Sequence, residues 1–180
     1  MRPVSCRTVT DASMEVRSPS GRLTFTLGFE MDVPVYDVKL GQISVVSGGR
    51  LGMAFDGREL SSLALRHAEE AVRIEDRYRL VGSDIEIAVV ANQRDIVLDS
   101  AGGDTLIVSV RVTDDAVGIR YRWDGPADRL LSDLTSFRFA EPGRAWIQPH
   151  DSPSLAAPAY EALYENGVAI GTPTNAPSWN

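Results

Sequence analysis

Strict two-residue alternation is the feature that most narrows what this chain can fold into. Over residues 22–30, Leu23, Phe25, Leu27 and Phe29 occupy one parity, and Arg22, Thr24, Thr26, Gly28 and Glu30 the other. Successive side chains of a β-strand point to opposite faces, so this pattern describes a strand with one face on a core and one toward water. The same period returns at Leu106, Val108, Val110 and Val112 against Thr105, Ser109 and Arg111, with Ile107 the one apolar exception. After Thr113-Asp114-Asp115-Ala116 it resumes as Val117, Ile119, Tyr121 and Trp123 against Gly118, Arg120 and Arg122, which predicts two strands joined by a tight acidic turn.

Turn residues divide the rest into short extended pieces. Ser18-Pro19-Ser20-Gly21 couples the fixed φ of proline to a glycine free to take positive φ, directly after the short run Met14-Glu15-Val16. Val33, Val35, Val38 and Leu40 form the next candidate strand, with Pro34 at an edge or a strand start because it has no N–H to give a ladder. Gly41-Gln42 then leads to Ile43-Ser44-Val45-Val46, and Ser47-Gly48-Gly49-Arg50-Leu51-Gly52 reads as a bend between strands. Further strands are expected at 84–90, 95–98, 134–139 and 145–148. Residues 60–79 are rich in Leu, Ala, Glu and Arg, and Leu60, Leu63 and Ala64 would share a helical face, whereas Val72, Ile74, Tyr78 and Leu80 fit a strand better. Many short strands with regular turn signals make an all-β, large antiparallel sandwich the expected fold class. Residues 1–17 are a lead-in with the first short strand, and 18–180 the sandwich, whose last stretch, 172–180, reads as a loop without a closing element, as in a chain cut in mid-domain.

Composition excludes several classes of function. With 180 residues, 43% apolar and 24% charged, the chain has the makings of a folded core. Its net charge of -7 gives no field that favours nucleic acid or anionic lipid as partner. Cys6 is the only cysteine, so neither an internal disulfide nor a cysteine metal site can form. No apolar run follows the basic start, and none approaches the roughly 20 residues of a spanning helix. The expectation is a cytoplasmic protein as written, or an exported one if the true N-terminus lies elsewhere.

Few motifs carry chemistry by themselves. The glycines at 48, 49 and 52 lack the lysine of a phosphate loop and the spacing of a dinucleotide fingerprint. His67 and His150 are far apart and outside any metal-binding spacing, so exposed or structural roles are expected, and no G-x-S-x-G elbow is present. Asp114-Asp115 and Glu69-Glu70 read as solvated surface. The run Pro158-Ala159-Tyr160-Glu161-Ala162-Leu163-Tyr164-Glu165, after Trp146 and His150, sets acids beside aromatics. Oxygen ligands suit Ca²⁺ and aromatic faces stack on sugar rings, although an ordinary strand with Tyr160 and Tyr164 packed inward accounts for the same spacing.

An ordered series of these segments resembles the N-terminal domain of glycoside hydrolase family 97, the alpha-glucosidase and alpha-galactosidase family. Ser18-Pro19-Ser20-Gly21-Arg22-Leu23 is similar to the family's opening turn and strand. Pro34-Val35-Tyr36-Asp37-Val38 and Ser47-Gly48-Gly49-Arg50-Leu51-Gly52 follow, the latter one or two residues longer than the family pattern. The most specific stretch is 111–122, Arg111-Val112-Thr113-Asp114-Asp115-Ala116-Val117-Gly118-Ile119-Arg120-Tyr121-Arg122, where Ala116 stands in place of a usual turn glycine and a different turn type is expected. Leu134-Thr135-Ser136-Phe137, Arg144-Ala145-Trp146 and Tyr160-Glu161-Ala162-Leu163-Tyr164 complete the order, with Asp133 the nearest carboxylate to the acid expected before the T-x-F element.

The resemblance implies a β-supersandwich similar to galactose mutarotase, joined in the same polypeptide to a catalytic (β/α)8 barrel that carries the acid and the base or nucleophile. It implies a calcium-dependent, exo-acting enzyme on alpha-linked oligosaccharides, with no catalytic residue in this chain. It also implies one calcium ligand supplied from here, carried over to Glu161, with Glu165 second. Two other readings stand beside it: a free-standing carbohydrate-binding sandwich using Trp146, Tyr160, Tyr164 or Trp179, and a mutarotase-like enzyme, for which His67 and His150 lack context.

Overall fold

The computed structural model describes residues 14–82, 84–123, 125, 129–148 and 163–173. It divides into two units, Met1–Arg138 and Phe139–Asn180.

In the first unit, β1 (Met14–Arg17), β2 (Leu23–Glu30), β3 (Val33–Leu40) and β4 (Ile43–Arg50) pair in sequence order as an antiparallel sheet. Two short strands, β5 (Met53–Phe55) and β6 (Arg58–Leu60), join β12 (Leu130–Asp133) in a three-stranded sheet. The remaining strands are β7 (Leu63–Ala68), β8 (Val72–Arg79), β9 (Glu86–Ser100), β10 (Thr105–Val112) and β11 (Val117–Trp123). They form a five-stranded sheet in which β11, β10, β9 and β7 lie in order and β8 also pairs with β9.

The alternation translates directly into burial. Leu23, Phe25 and Leu27 of β2 are buried while Thr24 and Thr26 are not, and Val108, Val110 and Val112 of β10 are fully enclosed. These two inward faces, with Met14, Val16, Tyr36, Val38, Ile96, Leu98 and Leu106, share one core. Contacts of β1 with β9 and β10, and of β2 with β10, bring the two sheets face to face. Phe25 and Tyr36 stack with ring centroids 5.5 Å apart, and Phe55 lies 5.0 Å from Trp123, over which the Arg58 guanidinium sits.

The fold is all-β, as the alternation requires, and four local expectations change. Residues 60–79 form no helix. Leu60 ends β6, Leu63 is buried at the head of β7, and both β7 and β8 pair with β9. Helix propensity is worth only tenths of a kcal/mol per residue, so ladder pairing and burial override it. The separate strands expected at 84–90 and 95–98 are one 15-residue strand, β9, which pairs with β8 through its first half and with β7 through its second. The strand expected at 134–139 is not formed: β12 ends at Asp133, and residues 134–138 belong to no strand. Residues 134–138 continue alongside β4 through Leu134 N–H to Gly52 O, Ser136 N–H to Arg50 O and Ser47 N–H to Arg138 O.

The glycine segment at 48–49 lies inside β4. Tyr36 pairs with Gly49 and Asp37 with Ser47, leaving Gly48 as an extra residue with φ of 72°. Its N–H is donated to Asp37 Oδ1 at 2.8 Å, which is the geometry of a bulge built on a glycine.

The second unit contains the hairpin of β13 (Arg144–Ile147) and β14 (Glu165–Ala169). Gly167, with φ of 66°, sits where the register shifts.

Candidate functional site

The acid-and-aromatic run was the strongest sequence candidate, and only its end is described. Glu161, Tyr160, His150 and Trp179 lie outside the described residues. Tyr164 immediately precedes β14 and is 57% exposed, and Trp146 on β13 is 64% exposed, so Tyr164 is not packed inward as an ordinary core strand would have it. Glu165 pairs with Ile147 and shares its face of the hairpin, whereas Trp146 points to the other face. Arg144 donates to the Gly167 carbonyl at 2.8 Å and braces the bulge. The described part of this unit thus presents aromatic surface, and it does not bring Trp146 and Glu165 to one side.

The acidic turn between β10 and β11 is a tie between elements. Ser20 N–H donates to Asp114 Oδ1 at 2.9 Å, joining the β1–β2 turn to the β10–β11 turn. Ser20, through its side chain and its N–H, holds the Asp114 carboxyl below the usual carboxylate range. Thr113 Oγ1 accepts from Ala116 N–H at 2.9 Å and donates to Asp115 at 2.5 Å. None of the four turn residues has a positive φ, so no glycine is needed and Ala116 fits. An ionised, hydrogen-bonded Asp114 is a structural acceptor and a poor general acid at neutral pH.

A groove of 580 Å³ opens beside this turn, lined by Leu23, Val38, Leu40, Val45, Ile119 and Phe137 among others, with Arg22, Asp114 and Asp115 also on its wall. Its walls are mainly apolar, the charged groups are confined to Arg22, Asp114 and Asp115 at the turn, with Asp114 already held by Ser20, and the Tyr36 hydroxyl is donated to Ser136 O at 3.0 Å. Sugar recognition needs converging polar groups, which this lining does not supply.

His67 on β7 faces Glu69 at 3.0 Å and is half exposed, an ordinary surface pair. Among the described residues, no three His, Cys, Asp or Glu side chains gather closely enough to hold a metal ion.

Sequence reading missed the polar cluster on the outer face of the five-stranded sheet. Arg111 reaches Gln93 at 2.9 Å and Asp76 at 2.7 Å, and Arg122 holds Asp95. Ser109, opposite Asp95 across the β9–β10 ladder, is only 4% exposed. The signal was present as the polar parity of β10, but only the register shows which acids of β9 face it.

The family profile described as "Glycosyl-hydrolase 97 N-terminal" matches residues 16–178. Among solved structures, a beta-arabinopyranosidase is 23% identical with a TM-score of 0.73, over 87% of this chain and 26% of that one. A glycoside hydrolase family 97 enzyme from Pseudoalteromonas sp. strain K8, solved in complex with panose and in complex with acarbose, is 19% identical with a TM-score of 0.67. That likeness covers 75% of this chain and 22% of the enzyme. The chain therefore spans about a quarter of the length of these structures. No curated protein matches it.

Proposed function

Because the chain belongs to the glycoside hydrolase family 97 N-terminal family, we propose that it is the noncatalytic β-sandwich part of an exo-acting alpha-glycosidase, an alpha-glucosidase or alpha-galactosidase. The observation that carries this reading is the family match over residues 16–178 on a sandwich that spans only about a quarter of its structural neighbours. The acid and the base or nucleophile then belong to a linked (β/α)8 barrel. Glycoside cleavage needs two carboxylates about 5–10 Å apart across one sugar, one of them protonated. In the acidic turn Asp114 is committed to Ser20 and Asp115 to Thr113. The panose and acarbose complexes support an oligosaccharide substrate, while the beta-arabinopyranosidase shows that this fold also accompanies a different sugar.

Glu161 is proposed as one ligand of a calcium ion shared with the barrel. Calcium takes six to eight oxygens, and the described residues do not build such a set, so the others would come from elsewhere. When bound, the ion would supply positive charge near the scissile bond, and Glu161 would help to hold it there.

The test uses the full-length enzyme. Glu161→Gln keeps the side-chain shape and removes its charge, so calcium affinity and turnover should fall while the sandwich stays folded, and Glu165→Gln should matter less. Unchanged calcium dependence and turnover in Glu161→Gln would remove the assignment. The chain of residues 1–180 alone should hydrolyse no alpha-glucoside or alpha-galactoside. A second reading, a carbohydrate-binding module, draws on the exposure of Trp146 and Tyr164. Saturable oligosaccharide binding by residues 1–180, lost in Trp146→Ala, would favour it.

A further inference from the structure

We propose that a hollow between β10 and β11, on the outer face of the five-stranded sheet, is a binding site for a small oxyanion, a carboxylate or a phosphate group. The site is made of residues of this chain alone and does not depend on the glycosidase reading.

Register builds it. Gln93 pairs with Arg111 and Arg111 with Gly118, while Asp95 pairs with Ser109 and Ser109 with Arg120. Paired residues share a face, and so do alternate residues along a strand, so all six stand on one side of the sheet. It is the outer side, because Val108, Val110 and Val112 of β10 take the opposite parity into the core. A glycine opens the hollow. A Cβ on Gly118 would meet only the Arg111 carbonyl, at 3.8 Å, so the room it leaves is room that a larger side chain would fill. The space of 230 Å³ is lined by Gln93, Ser109, Arg111, Gly118, Ile119 and Arg120. That suits a small ion and is below the usual size of a site for a larger ligand.

The polar groups around it are chiefly donors. Arg120 has no hydrogen-bond or ion-pair partner among the described residues. Arg111 gives Nε to Gln93 at 2.9 Å and Nη1 to Asp76 at 2.7 Å, which braces its guanidinium and leaves Nη2 to donate. Ser109 is only 4% exposed, and its Oγ is buried without a hydrogen-bond partner. Native proteins rarely leave such an atom unpaired, and its hydroxyl can give a proton to an anion. No carboxylate is among the lining residues. Asp95, beside Ser109 in the ladder, is held by Arg122, and its other oxygen is also buried and unpartnered, but it does not line the hollow. Two guanidiniums, one of them braced, and a buried hydroxyl therefore converge on one small space, a donor set that matches the oxygens of a carboxylate or phosphate. The chain carries a net charge of -7, so an anion held here would be held by these local donors and not by an overall positive field.

Titration calorimetry of the full-length protein with sodium acetate and with sodium phosphate, at constant ionic strength balanced by chloride, tests this. One saturable site is expected for at least one of the two, and the tighter arm identifies the anion class. Arg120→Gln should weaken that binding about ten-fold or more, because it removes a charge-assisted pair. Ser109→Ala should weaken it less, and Gly118→Val should abolish it by filling the hollow, each with an unchanged circular dichroism spectrum. Arg73→Gln, on β8 and outside the hollow, should leave it intact. Heats equal to dilution with both salts overturn the proposal and leave the hollow to water. Binding that survives both Arg120→Gln and Gly118→Val, or that Arg73→Gln weakens as much as Arg120→Gln does, overturns it too, since that is diffuse ion association and not a site.

Discussion

The ring of Tyr36 crosses Gly49, where an added Cβ would lie 2.5 Å from the ring and 2.7 Å from the Ser136 carbonyl, so only glycine fits. Its hydroxyl donates to that carbonyl, while the Tyr121 hydroxyl meets Thr135 at 2.6 Å and Gly52 N–H at 3.3 Å. A buried phenol, Tyr36, and a partly buried one, Tyr121, thus pin residues 134–138 along β4. Burial, with Tyr121 nearby, pushes the Tyr36 hydroxyl from its ordinary 10.0 up to about 12. The folded phenol keeps its proton where the unfolded one loses it, so its contribution is complete below pH 10 and is lost as pH rises toward 12. Tyr36→Phe should cost about 1 kcal/mol at neutral pH through the lost hydrogen bond, and its urea stability should fall less steeply than that of the parent between pH 10 and 12. Parallel declines of the two proteins would show that Tyr36 does not govern that window.

At the scale of elements, turns decide the register. The β2–β3 connection is two residues, Met31 and Asp32, both at positive φ, 49° and 63°. This backbone matches the right-handed twist of the flanking strands, but it favours Asn and Gly over a long side chain. Met31 is 95% exposed and packs on nothing that a replacement would lose. Met31→Asn should therefore raise stability by about 0.5–1 kcal/mol, read as a higher urea midpoint at unchanged slope. A lower midpoint would mean that Met31 makes a contact in the unfolded chain or elsewhere that outweighs its backbone strain. The β10–β11 turn solves the same problem without positive φ, because Thr113 Oγ1 takes the Ala116 N–H.

For the first unit as a whole, two sheets share one core, and neither inward face is buried without the other. Phe25→Ala in β2 and Leu98→Ala in β9 should each lower the same unfolding transition, by about 3–5 and 2–5 kcal/mol. Fluorescence and circular dichroism should follow one curve in both variants. Two resolved transitions, with each substitution moving only one, would show that the sheets fold independently. The far-ultraviolet spectrum should be that of β-structure.

The sequence by itself determined which residues face the core, because a period of two leaves no other assignment for Leu23, Phe25 and Leu27 or for Val108, Val110 and Val112. It also carried the family, through motifs from Ser18 to Tyr164 that are weak singly and specific in order. Pairing partners were decided only in three dimensions. Val72, Ile74 and Tyr78 already fit a strand, but nothing local tells 60–71, with its Leu, Ala and Glu, to be extended, nor that both β7 and β8 lie along β9, which only the long-range ladder decides. Nothing local joins 84–90 to 95–98, since Ala91, Asn92, Gln93 and Arg94 look like a break until β8 and β10 pair with them from both sides. The outer cluster of Asp76, Gln93, Asp95, Ser109 and Arg111 draws on three strands, and such a neighbourhood exists only once register has set those strands side by side.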